Sequence, residues 1–196
     1  MKLGFFGGSF DPIHLGHLNL AIRIMELKGL DRVLFSPARV SPFKQENPPH
    51  APANHRLNLL QLALEDVPNC DPYDGELQEE GPSYTIDAIR KLEGEGELYL
   101  ILAEDAASHL NQWKEAQQLI QRARPLVGVR SVEDKDSLKN LPAPLKEIVE
   151  SGRVEIPLMD VCSTEVRERL KKRLYCGHLL QGKVLDYIHQ NSLYYS

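Results

Sequence analysis

Two rhythms of apolar residues alternate along the chain. Short, mainly apolar runs at residues 3–6, 32–36, 98–102, 126–129 and 154–156 predict strands. Between and after them, apolar positions recur every three or four residues, which predicts helices over 15–28, 54–66, 84–92, 106–121, 141–150, 164–173 and 183–191. The first helix carries Leu18, Ala21, Ile22 and Met25 on one face, and the second carries Leu57, Leu60 and Leu64 behind Asn54 as a plausible N-cap. Strands that alternate with helices predict an α/β fold, a Rossmann-like doubly wound parallel sheet, here with a small helical portion at the C-terminus. Ligands of such sheets bind beyond the carboxyl ends of the strands, where connections diverge to opposite faces.

Composition narrows the class. The chain has 196 residues, of which 42% are apolar and 26% charged, and it reads as one domain over 1–196 with a sizeable core. Its net charge of −5 and the lack of a Lys/Arg block argue against nucleic acid or an anionic membrane as partner. No apolar run reaches the length of a membrane span, and the N-terminus lacks signal-peptide features. Cys70, Cys162 and Cys176 match no metal or redox spacing. A cytoplasmic protein with reduced thiols and no protein-bound metal is the expectation, with homo-oligomerisation left open. Residues 36–52 hold five prolines and are expected to form an ordered or mobile loop, not a domain boundary, that lies as a lid over the acceptor.

The stretch after the first strand, GGSFDPIHLGH, carries the first candidate chemistry. Gly7 and Gly8 let a ligand approach the backbone and permit positive φ, with Ser9 and Phe10 following. Asp11-Pro12 turns the chain into a helix start, whose N–H groups and dipole favour an anion. His14 and His17, three apart, can project on one side and donate to phosphate oxygens. Each feature also has an ordinary reading, as a generic turn with incidental histidines. The pattern is neither Gly-x-Gly-x-x-Gly nor a Walker loop, so a dinucleotide-binding dehydrogenase and a P-loop NTPase both lose ground.

GGSFDPIHLGH as a whole resembles the signature of the nucleotidyltransferase superfamily that carries a His-x-Gly-His motif. That superfamily's second diagnostic, a Ser/Thr-rich turn opening a helix near the C-terminus with an arginine after it, is matched by Cys162-Ser163-Thr164-Glu165-Val166-Arg167. Ser163 or Thr164 can cap that helix while its first N–H groups face a phosphate, and Arg167 lies one turn along. An ordinary N-cap with a solvated arginine is the alternative for this turn taken alone.

Four stretches in the middle of the chain, Ser41-Pro42-Phe43-Lys44, Gly81-Pro82-Ser83-Tyr84-Thr85-Ile86-Asp87, Leu102-Ala103-Glu104-Asp105 and Leu110-Asn111-Gln112-Trp113, carry a further likeness. They resemble the nicotinate-mononucleotide adenylyltransferase family of the bacterial NAD pathway. The resemblance implies transfer of an adenylyl group from ATP to nicotinate mononucleotide, releasing pyrophosphate, with Mg²⁺ accompanying ATP. It implies that Gly7, Gly8, Ser9, Phe10, His14, His17, Asp105, Ser163, Thr164 and Arg167 bind ATP. It further implies that Lys44, Ser83, Tyr84, Thr85 and Trp113 bind the acceptor, and that His14, His17, Lys44 and Arg167 carry the catalysis. A helix start at residues 83–85 suits a carboxylate, and Trp113 can stack on a cationic pyridine or simply pack in the core. Asp105 would hydrogen-bond a ribose hydroxyl or cap the next helix. Three positions depart from the family's usual residues: Cys162 stands for Ser, Ala103 for Gly, and Lys114 for an aromatic. A sister transferase acting on nicotinamide mononucleotide or phosphopantetheine stays open, as does a non-catalytic nucleotide sensor.

Overall fold

The computed structural model describes residues 1–42, 48–132, 138–157 and 159–195. Its strands are β1 (Lys2–Gly8), β2 (Arg32–Pro37), β3 (Cys70–Pro72), β4 (Glu97–Ala103), β5 (Ala123–Val129) and β6 (Arg153–Glu155). They form one six-stranded sheet in the order β3-β2-β1-β4-β5-β6. The order runs outward from β1 in one direction through β2 and β3 and in the other from β4 to β6, which is the doubly wound arrangement predicted. The strand order therefore reverses beside β1, and the glycine stretch begins at its carboxyl end. Helices are α1 (Leu15–Lys28), α2 (Ala53–Leu64), α3 (Thr85–Lys91), α4 (Glu104–Ser108), α5 (Ala116–Arg122), α6 (Ala143–Ser151), α7 (Ser163–Lys171) and α8 (Gly182–Gln190).

The described chain falls into two compact units. The first comprises Met1–Gly7, Leu20–Leu34 and Tyr84–Leu158. Its strands pair in parallel, Lys2 with Glu97 and Phe5 with Leu100, then Leu98 with Ala123, then Val127 with Arg153. Phe5, Ile101 and Val127 of these strands and Ile89, Leu119 and Val149 of the helices are fully buried. Each such side chain contributes roughly 1.5–3 kcal/mol relative to exposure. The unbroken apolar character of β1, β4 and β5 thus reflects a sheet covered on both faces.

The second unit comprises Gly8–Asn19, Phe35–Ser83 and Met159–Ser196. Here α2 packs on α8, and Leu59 and Leu60 of the first and Val184 and Ile188 of the second are buried. The Tyr187 hydroxyl joins the same two helices, accepting from Asn58 Nδ2 at 2.8 Å and lying 3.0 Å from His55 Nδ1.

Three sequence expectations change. The helix predicted over 106–121 is instead α4, a 3-10 turn (Leu110–Gln112) and α5, separated at Trp113, which is extended, and Glu115, at φ 53°. Leu110, Ala116, Leu119 and Ile120 are all buried, so the apolar spacing marks the inward face without fixing backbone continuity. Strand β3 was not predicted, because Cys70-Asp71-Pro72 has no apolar run. Asn54 does not cap α2: Pro52 occupies the N-cap and no side chain caps it.

Candidate active site

The stretch from Gly7 to His17 builds its site with backbone as much as with side chains. Gly7 and Gly8 end β1, and neither has positive φ; the left-handed residue is Phe10, at φ 44°. The glycines thus supply room and not the turn itself: a Cβ on Gly8 would lie 3.2 Å from the Phe10 ring. Phe10 is buried and meets His17 edge-on, with centroids 5.0 Å apart. A left-handed non-glycine residue costs about 1–2 kcal/mol, so burial of this ring helps to hold the bend.

His14 and His17 do project together. Their rings stack with centroids 3.6 Å apart. The His14 backbone N–H donates to His17 Nδ1 at 3.2 Å, and the His17 N–H donates to His14 Nδ1 at 3.3 Å. An Nδ1 that accepts a hydrogen bond leaves the proton of a neutral ring on Nε2, so each imidazole keeps an Nε2–H donor. His14 is buried, and desolvation pushes its pKa down to about 4. Gly16 has a steric role between them, since a Cβ there would sit 3.1 Å from the His14 ring.

Asp11 organises the loop, a role the sequence reading did not foresee. Its buried carboxylate accepts from the backbone N–H groups of His50 (2.8 Å) and Ala51 (3.0 Å) and from the Tyr194 hydroxyl (2.9 Å). The His50 ring Nδ1 lies 3.4 Å from the same carboxylate. Arg56, also missed, is buried on α2 and donates to the carbonyls of Ser9 (2.8 Å), Ala38 (2.7 Å), Arg39 (3.1 Å) and Ala51 (3.2 Å). One guanidinium thereby ties the glycine stretch to the segment after β2 and the approach to α2. The only sequence signal for Arg56 is a charged residue one position before the apolar Leu57 in a helical pattern.

The distant turn joins this loop. Arg167 Nη1 donates to the Asp11 carbonyl at 2.7 Å and lies 3.9 Å from its carboxylate, while Nη2 donates to Thr164 Oγ1 at 3.1 Å. Ser163 Oγ donates to the Pro12 carbonyl at 3.0 Å. Neither Ser163 nor Thr164 caps α7. The N-cap is Cys162, whose Sγ accepts from Glu165 N at 3.5 Å, and Ser163 is free of that duty to hold the loop. Residues 151 and 156 positions apart in sequence are therefore directly bonded.

The remaining sequence candidates are placed as follows. Ser83 accepts from Arg39 N at 2.8 Å through Oγ and donates its own N–H to the Val40 carbonyl at 2.9 Å, so it braces the segment leading toward residue 42. Lys44 and the centre of the predicted lid, residues 43–47, lie outside the described residues. In the first unit, α3 starts at Thr85 behind Tyr84, and no side chain caps it. Lys114 Nζ lies 4.4 Å from the Tyr84 ring centre and 2.9 Å from Asp87 Oδ2. Trp113 ends the 3-10 turn half-buried and is not a core residue. Asp105 is exposed in the first turn of α4 and does not cap it; Ala103 holds that position. Among the described residues, no three His, Cys, Asp or Glu side chains gather into a group that could hold a metal ion. Nor is any described helix long and apolar enough to cross a membrane.

Comparison with known proteins extends the likeness over the whole chain. The cytidylyltransferase-like family pattern matches residues 5–169. A probable nicotinate-nucleotide adenylyltransferase of Methylacidiphilum infernorum is 39% identical, over 98% of this chain and 92% of its own length. The nicotinate-nucleotide adenylyltransferase of Bacillus subtilis is 32% identical, over all of this chain and 99% of its own. Among solved structures, the Plasmodium falciparum nicotinic acid mononucleotide adenylyltransferase complexed with NaAD superposes with a TM-score of 0.74 at 18% identity. That match covers 98% of this chain and 97% of that one, and it bears on the fold.

Proposed function

We propose that this chain, which belongs to the cytidylyltransferase-like family and within it to the nicotinate-nucleotide adenylyltransferases, joins ATP to nicotinate mononucleotide, giving deamido-NAD and pyrophosphate. One observation supports the site reading above the rest: Ser163 and Arg167 are bonded to the Asp11-Pro12 carbonyls within the loop that carries the stacked histidines. Phosphate-suited groups from both ends of the chain thus serve one ligand.

The chemistry is an in-line displacement. A phosphate oxygen of nicotinate mononucleotide attacks the α-phosphorus of ATP, and the bond from that phosphorus to the α,β-bridging oxygen breaks. The attacking phosphate is already largely ionised near neutral pH, so no general base is required. The protein's work is positioning and charge stabilisation. His14 and His17 donate through Nε2–H to α-phosphate oxygens as charge develops. Arg167, with Ser163 and Thr164 beside it, takes the β and γ phosphates. Gly7 to Phe10 give the nucleotide close access to backbone, and Asp105 takes a ribose hydroxyl. Lys44 neutralises the acceptor phosphate. Trp113 stacks on the pyridine ring, and the uncapped start of α3 at Tyr84 and Thr85, with Ser83 before it, receives the carboxylate. Mg²⁺ would accompany ATP as its phosphate complex and would supply charge neutralisation for the departing pyrophosphate.

Labelled ATP tests the reading. With nicotinate mononucleotide present, label at the α-phosphorus is expected in the dinucleotide and label at the γ-phosphorus in pyrophosphate. His17→Ala should slow that transfer by roughly a hundredfold, the scale of losing one transition-state donor. Label released as orthophosphate, or an undiminished His17→Ala rate, would contradict it.

A further inference from the structure

The penultimate described residue lies against the phosphate loop. Tyr194, two residues before Ser196, has its ring buried and its hydroxyl 2.9 Å from Asp11 Oδ1. Burial and the adjacent Asp11 carboxylate both push its phenol well above the ordinary tyrosine range, so it stays a donor at every working pH. Asp11 Oδ1 also accepts from the Ala51 N–H. Oδ2 receives the His50 N–H and lies 3.9 Å from Arg167 Nη1, whose hydrogen bond goes to the Asp11 carbonyl instead. The carboxylate is thus engaged by hydrogen bonds, while Arg167 sits at the long edge of ion-pair distance from it.

We propose that Tyr194 is a positioning residue for ATP binding, which keeps the Asp11 carboxylate engaged and so leaves the Arg167 guanidinium available to phosphate. Arg56 also lies near this pair but is committed to four carbonyl oxygens, and the His50 ring Nδ1 lies 3.4 Å from Asp11 Oδ2. When the tyrosine hydroxyl is removed, a less compensated Asp11 draws Arg167 toward itself. The ion pair, already at 3.9 Å, then tightens and competes with the triphosphate for the same guanidinium. The C-terminal segment acts in this way on nucleotide affinity from a residue that touches no substrate. The inference rests on the reading of Arg167 as a phosphate ligand.

Tyr194→Phe removes one oxygen and keeps the ring. Tyr195→Phe, at the neighbouring residue packed under Arg173, is the control. Calorimetry with a non-hydrolysable ATP analogue should show affinity reduced about fivefold in Tyr194→Phe and unchanged in Tyr195→Phe, the scale of one hydrogen bond to a charged group partly transmitted. In turnover, KM for ATP should rise while KM for nicotinate mononucleotide holds. Adding Tyr194→Phe to Asp11→Asn should bring little further loss, because both act through one hydrogen bond. Unchanged analogue affinity in Tyr194→Phe, equal rises in both KM values, or additive effects with Asp11→Asn would overturn the inference and leave the functional reading standing. A wild-type protein that does not bind the analogue would overturn both.

Discussion

At the residue scale, the reactive groups are tuned by what surrounds them more than by what they are. His14 and His17 are ordinary imidazoles by sequence, yet reciprocal backbone donation fixes both on the same tautomer. Burial makes His14 hard to protonate, and this has a consequence for stability. Its folded pKa of about 4 lies below the unfolded value near 6.5, so between those values the unfolded chain binds more protons than the folded one. The stability it contributes is therefore complete above pH 6.5 and is lost as the pH falls toward 4. At pH 5 the loss is roughly 2 kcal/mol. Urea denaturation of wild type and His14→Gln at pH 7.5 and pH 5 should show the wild type losing about that much more; parallel losses would contradict the assignment. The histidine pair was visible in the sequence because its spacing is local. Asp11 and Arg56 were not seen as a hub, since their partners at residues 38–51 and 194 are set by tertiary structure.

At the scale of elements, α7 is the informative case. Its sequence suggested a Ser/Thr cap facing phosphate, and the helix does start there, but the capping atom is the Cys162 sulfur. Sulfur accepts weakly, and the 3.5 Å contact is long for a cap. Cys162→Ser should strengthen it by about 0.5 kcal/mol, a rise of about 1–2 °C in melting temperature for a chain of this length. A fall in melting temperature would show that Sγ does more than cap. Elements with long periodic patterns, such as α1 and α2, were legible to within a residue or two. The break between α4 and α5 was not, because Ala107, Leu110 and Trp113 before the left-handed Glu115 and Ala116, Leu119 and Ile120 after it each keep spacings of three to four residues.

At the scale of the molecule, the order of strands explains why distant segments share one chemistry. The reversal beside β1 puts the glycine stretch at a place where α/β sheets bind ligands, and α7 returns to that stretch through Ser163 and Arg167. The doubly wound class could be read from the alternation of apolar runs and helical spacing. The bonding of residue 163 to residue 12 could not, because nothing local in either segment encodes the other; only the family likeness linked them. The same likeness, and not the periodicity, pointed to the acceptor through Ser83 to Thr85 and Trp113. Acceptor choice is accordingly the claim most exposed to test. Pyrophosphate release should be measured with ATP and, separately, nicotinate mononucleotide, nicotinamide mononucleotide and phosphopantetheine. The account predicts the highest kcat/KM with nicotinate mononucleotide; preference for either of the other two would contradict it.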